Sequence, residues 1–235
     1  MFRGADAELG RARSYASRSA RELGHARVGS EHLLLGLTLS RGEVAGVLAR
    51  HGATSSALRD AACAAAPAGA GAAADRGILA VLGIDLDPVL DRSGPAVLDR
   101  PVGPAPVFPL GASRARARCA RMNPPLGTDA QAAWEAALRL ALARRERQHG
   151  PEQLALSLVA RDPGASWVLT EVGADRTAVL ASLLAAFPPA AGHPLLRAAR
   201  RLGHRPRQRD IVRRYQRLTG RIATDGRAVA QLIAG

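Results

Sequence analysis

The chain has 235 residues, 47% of them apolar but only 3% aromatic, and a formal net charge of +13. That length supports one or two domains with a real core, and a core of Ala, Leu and Val with so few aromatic residues suits close helix packing better than sheets. All 33 basic residues are Arg, which excludes the Lys that a Walker A loop or a Schiff-base enzyme requires.

The elements follow in chain order. Leu9, Ala12, Ala16, Ala20 and Leu23 step by three and four and form one stripe of a first helix, which Gly24 is placed to end. Ser30 can cap a second helix that carries Leu33, Leu34 and Leu37 and breaks at Gly42. Val44, Val47 and Leu48 mark a third, closed by His51-Gly52. Thr54 can cap a fourth through Leu58 and Ala61, which stops near Pro67. Residues 67–124 read as a linker. Its PAGAGAAADRG stretch is flexible and of low complexity, ILAVLGIDLDPVLDR can add a short helix or two, and the Pro-, Gly- and Arg-rich remainder is an expected mobile loop.

Beyond the linker, the plan of residues 1–66 returns in residues 125–190. A shift of 121 places Ala12, Ala16, Arg18 and Ala20 on Ala133, Ala137, Arg139 and Ala141. The same shift places Gly29, Glu31, Leu33, Leu35 and Leu37 on Gly150, Glu152, Leu154, Leu156 and Leu158. Thr128 and Gln131 have capping-box spacing, Pro151 suits a first helical position, Asp162-Pro163 opens the next helix, and Asp175 can cap the last. The expected fold is all-α: two four-helix units followed by a basic helical tail.

That tail holds most of the excess charge. Residues 193–235 carry 11 Arg against 2 Asp, so +9, and the rest of the chain carries +4. Ile211, Tyr215 and Leu218 give the tail one apolar stripe. It reads as a solvated or docking helix, or as a nucleic-acid contact. No apolar run reaches the length of a membrane span, and the opening MFRGADAELG lacks a signal-peptide core, so a cytoplasmic location and no membrane partner are expected. Cys63 and Cys119 are isolated and read as buried or spare thiols.

The stretches ELGHARVGSEHLLLGL and GEVAGVLARHGATSSALRDA resemble the Clp repeat, the N-terminal domain of Clp-type AAA+ unfoldases. The family pattern ends its first helix at Leu-Gly-His, begins the second at Gly-Thr-Glu-His before leucines, and closes the third at Gly. Ser30 replaces Thr here, and in the second copy Pro151 and Gln153 replace Thr and His. The resemblance covers residues 2–66 closely and 125–187 more loosely. It implies eight helices in pseudo-two-fold relation, no catalytic residue, no cofactor, and a role in docking adaptors, substrates or a Clp unfoldase itself.

Some members of that family bind phosphorylated arginine, which implies a ligand site at Ser30, Glu31 and His32, with a weaker one at Glu152. A carboxylate can pair with the guanidinium while a helix N-terminus and a hydroxyl hold the phosphate. Pro151 offers neither a hydroxyl nor an N–H. Phe2 is expected near a peptide surface where cyclic-peptide ligands can lie. His25, Glu31 and His32 also suggest a metal site, but their spacing is not HExxH, and helix-capping or surface histidines are expected instead.

Overall fold

The computed structural model describes residues 4–94, 121 and 123–188. These residues form ten α-helices and no strand: α1 (Ala7–Glu22), α2 (Ser30–Leu39), α3 (Glu43–Arg50), α4 (Ser55–Ala64), α5 (Ala70–Val81), α6 (Asp87–Ser93), α7 (Thr128–Ala143), α8 (Pro151–Arg161), α9 (Pro163–Glu171) and α10 (Arg176–Ala186). The all-α expectation holds for the described residues. The tail from residue 191, Phe2 and Cys119 lie outside them.

Local chemistry sets the helix ends. The Asp6 carboxylate accepts the Glu8 and Leu9 N–H groups at 2.6 and 3.3 Å and starts α1. Thr54 Oγ1 accepts from Ala57 N at 3.3 Å, Asp162 from Ala165 N at 2.7 Å, and Asp175 from Thr177 N at 2.8 Å, so these three caps act as their positions predict. Two others differ. Ser30 is the first residue of α2 and Gly29 is its cap, whose N–H donates to His32 Nδ1 at 3.0 Å. Thr128 likewise lies inside α7, after Gly127, and Gln131 Nε2 reaches back to the Leu126 carbonyl at 2.8 Å. In both cases a longer side chain in the first turn, three residues past the cap for His32 and four for Gln131, satisfies the backbone that leads into the helix, so a hydroxyl is not needed at the cap.

The PAGAGAAADRG stretch that reads as flexible is also different: α5 begins inside it, at Ala70, and runs on to Val81, and α6 lies in the following stretch, where a short helix is expected. Alanine is the best helix former, and α5 opens with the run Ala-Gly-Ala-Ala-Ala, small enough throughout to pack closely. That helix lies against α9, and its first turn reaches α2.

Helices α2 and α8 are the centre of the molecule. Ser30 through Thr38 are all buried, as are Gln153 through Val159, the pattern of helices enclosed on every side. One continuous core joins Leu9, Leu34, Leu48 and Leu58 to Leu140, Leu156, Leu169 and Leu183. At ~1.5–3 kcal/mol for each fully buried large aliphatic side chain, this shared interior dominates the favourable side of folding.

Two short backbone pairings tie the first and last parts together. His149 N–H donates to the Gly4 carbonyl and Asp6 N–H to the His149 carbonyl, both at 2.9 Å. Val28 N–H donates to the Pro125 carbonyl at 2.8 Å and Gly127 N–H to the Val28 carbonyl at 2.9 Å. Ala5 thus pairs with His149 and Leu126 with Val28.

Candidate functional site

The residues singled out at the start of α2 meet in a closed polar cluster. Glu31 is 1% exposed, and Ser30 and His32 are fully buried. Glu31 Oε1 lies 3.1 Å from His32 Nδ1 and 3.8 Å from His25 Nδ1, and the two imidazole rings meet edge to face at 4.7 Å. Burial pushes the Glu31 carboxyl up, but His25 and His32 more than offset it and hold the acid well below the usual carboxylate range.

Three segments cover the cluster. Gly69, at the start of α5, sits over Glu31, so near that a Cβ there would lie 2.9 Å from Oε1. Gly164, in the first turn of α9, abuts Ser30, and a Cβ there would lie 2.7 Å from its hydroxyl. From the start of α7, Asp129 Oδ2 accepts the Ser30 N–H at 2.8 Å. The helix N-terminus that suits a phosphate is therefore occupied by a carboxylate of the chain itself. Arg27 lies beside this acid group and donates to the Ala68 carbonyl at 3.2 Å. Burial and the Glu31 charge raise the Asp129 pKa, and Arg27 opposes them.

His25, Glu31 and His32 can each offer a ligand atom within 4.8 Å of the others, which the sequence spacing alone does not reveal. His32 Nδ1, however, already receives the Gly29 N–H, so the histidine performs the capping role expected of it. His25 departs from expectation in being buried rather than at the surface.

The second candidate position differs in chemistry. Gly150 N–H donates to Gln153 Oε1 at 2.6 Å, so Gln153 caps α8 as His32 caps α2. Gln153 Nε2 donates to Glu146 and, at 2.9 Å, to Glu152, which is only half-buried. Burial first, and the Glu152 charge after it, raise the Glu146 pKa to about 7 against the pull of Arg144. Among the described residues no imidazole stands beside Glu152 as His25 stands beside Glu31, because position 146 holds an acid.

A cavity of about 260 Å³ opens between α7, α8 and the start of α9, lined by Asp129, Glu135, Arg139, Ser157, Arg161 and Asp162 among others. Of these, only Asp162 has a role readable from the sequence, as a helix cap. The signal that could have found the cavity is Ser157, which stands at the position of Gly36 under the 121-residue shift.

Cys63 is an exposed free thiol. No described helix is long and apolar enough to cross a membrane. No family model and no curated protein matches the chain.

Proposed function

We propose that the chain is a non-enzymatic docking module, related to the substrate-docking domain of Clp unfoldases, that modulates Clp-dependent proteolysis by binding peptides or protein adaptors. The observation that supports this most is the exchange of backbone pairings. Ala5 pairs with His149 and Val28 with Leu126, and a shift of 121 residues turns Ala5 into Leu126 and Val28 into His149. Each pairing is thus the other with the two units exchanged, as expected of two repeats in pseudo-two-fold relation. A double Clp repeat is in turn what the Leu-Gly-His and Gly-Ser-Glu-His motifs suggest.

Within this reading, phosphoarginine is a ligand for Ser30 and Glu31 only after the Ala68–Ala70 cover and Asp129 move aside. In the closed arrangement a phosphate would meet the Asp129 carboxylate at the Ser30 amide. The test is a reconstituted Clp unfoldase–protease reaction with the full chain added. A concentration-dependent change in substrate degradation is expected, and an unchanged rate over a wide excess rejects the role. Calorimetric titration with phosphoarginine peptides, with and without Glu31→Ala, decides the ligand.

The +9 charge of residues 193–235 favours a second reading, a nucleic-acid-associated regulator. Binding that weakens steeply with salt and disappears on removal of those residues would support it.

A further inference from the structure

We propose that the cavity between α7 and α8 binds a primary ammonium group, held by Asp129, Asp162 and Ser157. This site shares Asp129 with the Ser30 cluster, but it does not depend on the docking role proposed above.

The place begins with a substitution between the two halves of the chain. At Gly36 the backbones of α1 and α2 are in contact, and a Cβ there would lie 2.2 Å from the Ala12 carbonyl oxygen. Position 157 carries Ser instead, so α7 and α8 cannot approach in that way. The side chain that keeps them apart is a hydroxyl at 1% exposure. A serine within a helix ordinarily turns its hydroxyl back to a carbonyl one turn earlier. Ser157 Oγ has no hydrogen-bond partner among the described residues, and neither has the buried Asp129 Oδ1. Both residues line the cavity. An unpaired buried polar atom is costly, and a donor-rich ligand removes that cost.

The charge around the cavity fixes the ligand's sign. Arg139 is committed to Glu135, with its Nε and Nη2 donating to Oε1 at 2.9 and 2.8 Å. The other arginine on the wall, Arg161, is exposed, where water screens it. Two carboxylates remain, Asp129 and Asp162. Asp162 is 7% exposed and uses Oδ1 to cap α9. Burial and the neighbouring Asp129 charge raise its pKa to about 6, and burial and Glu31 raise that of Asp129. Burial thus outweighs the compensation at both acids, although Arg27 pulls Asp129 down. An ammonium carries three N–H donors and one positive charge. Asp129, Asp162 and Ser157 supply three acceptors to match, and about 260 Å³ admits the group with its first carbons. A guanidinium, planar with five donors, is a poorer match to three acceptors.

The ammonium can come from a peptide N-terminus or a lysine side chain. Calorimetric titration of the full chain with Ala-Ala-Ala amide, its N-acetyl form and N-acetyl-lysine amide separates them. Saturable binding of the free tripeptide amide or of the lysine derivative is expected, with N-acetylation of the tripeptide weakening its binding by about tenfold or more. Whichever amine binds more tightly identifies the source. Ser157→Val fills the cavity, and Asp162→Asn keeps a helix-capping side chain while removing the charge. Each is expected to weaken binding by about tenfold or more, with the melting transition retained in Asp162→Asn even if Ser157→Val does not fold. No binding of either amine, equal binding of the acetylated tripeptide, or unchanged affinity in folded Asp162→Asn would overturn the proposal.

Discussion

Helix pairs α1/α2 and α7/α8 occupy corresponding places in the two halves of the chain, yet one interface is closed and the other holds a cavity. In the first, Gly36 lets α2 lie directly on the Ala12 carbonyl, and Glu8 fills the neighbouring space by accepting from Ser40 Oγ at 3.3 Å. In the second, Ser157 replaces the glycine, and Asp129, the counterpart of Glu8, turns to the Ser30 amide of the other half. One added hydroxymethyl group and one redirected carboxylate separate a packed seam from a polar cleft. Similar leucine patterns thus yield different interfaces when the small residue at the crossing changes.

The sharpest way to break this comparison is to add bulk at the closed crossing. Gly36→Val places a branched side chain where even a Cβ meets backbone, and the helices must separate. The expected loss is about 3 kcal/mol, the upper part of the range for overpacked cores, measured by urea unfolding. Ser157→Ala at the matching position removes a hydroxyl without a partner. It should change stability by less than about 0.5 kcal/mol or raise it slightly. Equal losses in both proteins would mean that the two crossings are packed alike.

The starts of α2 and α8 give a second contrast. His25, Glu31 and His32 in the first half correspond to Glu146, Glu152 and Gln153 in the second. The amide of Gln153 reproduces the backbone cap of His32, so the helix start survives the change. The electrostatics do not: an acid between two imidazoles becomes an acid beside another acid. Glu31→Gln removes the carboxylate charge that faces both imidazoles and should cost on the order of 2 kcal/mol near neutral pH, the electrostatic stabilisation that its lowered pKa reflects. Because the folded pKa of Glu31 is depressed, its contribution is present above the ordinary glutamate value and is lost as pH falls through the lower folded value. The gap between wild type and variant should therefore narrow in acid. A gap independent of pH would show that Glu31 acts through packing alone.

Much of the helical plan was legible because it rests on periodicity and punctuation. Leu9, Ala12, Ala16 and Ala20 are buried as their spacing requires, and Asp162 and Asp175 cap the helices they precede. The first part of α5 was hidden because Ala and Gly together give no apolar period, and the helix is held by contact with α9. The closure of the candidate ligand site was hidden for a related reason. Asp129 and Ser30 are 99 residues apart, and nothing local to either shows that one accepts from the other. Sequence spacing reported the chemistry of Ser30 and Glu31 but not what covers them.

The smallest expected effect lies at Glu146, and it has the opposite sign to that at Glu31. Burial and the Glu152 charge raise the Glu146 pKa to about 7, although Arg144 pulls it down. An acid whose folded pKa is raised favours the fold when protonated. Its contribution is full below the unfolded value of about 4.5 and is lost as pH rises through about 7. Glu146→Gln makes the neutral form permanent and leaves an acceptor for Gln153 Nε2. The variant should match wild type near pH 5 and be more stable near pH 8. With the side chain 23% exposed, the gain should be on the order of 1 kcal/mol or less. Urea unfolding at both pH values measures it. A variant that is less stable at pH 8 would show that ionised Glu146 supports the start of α8, as Glu31 supports the start of α2, and the contrast between the two helix starts would be lost.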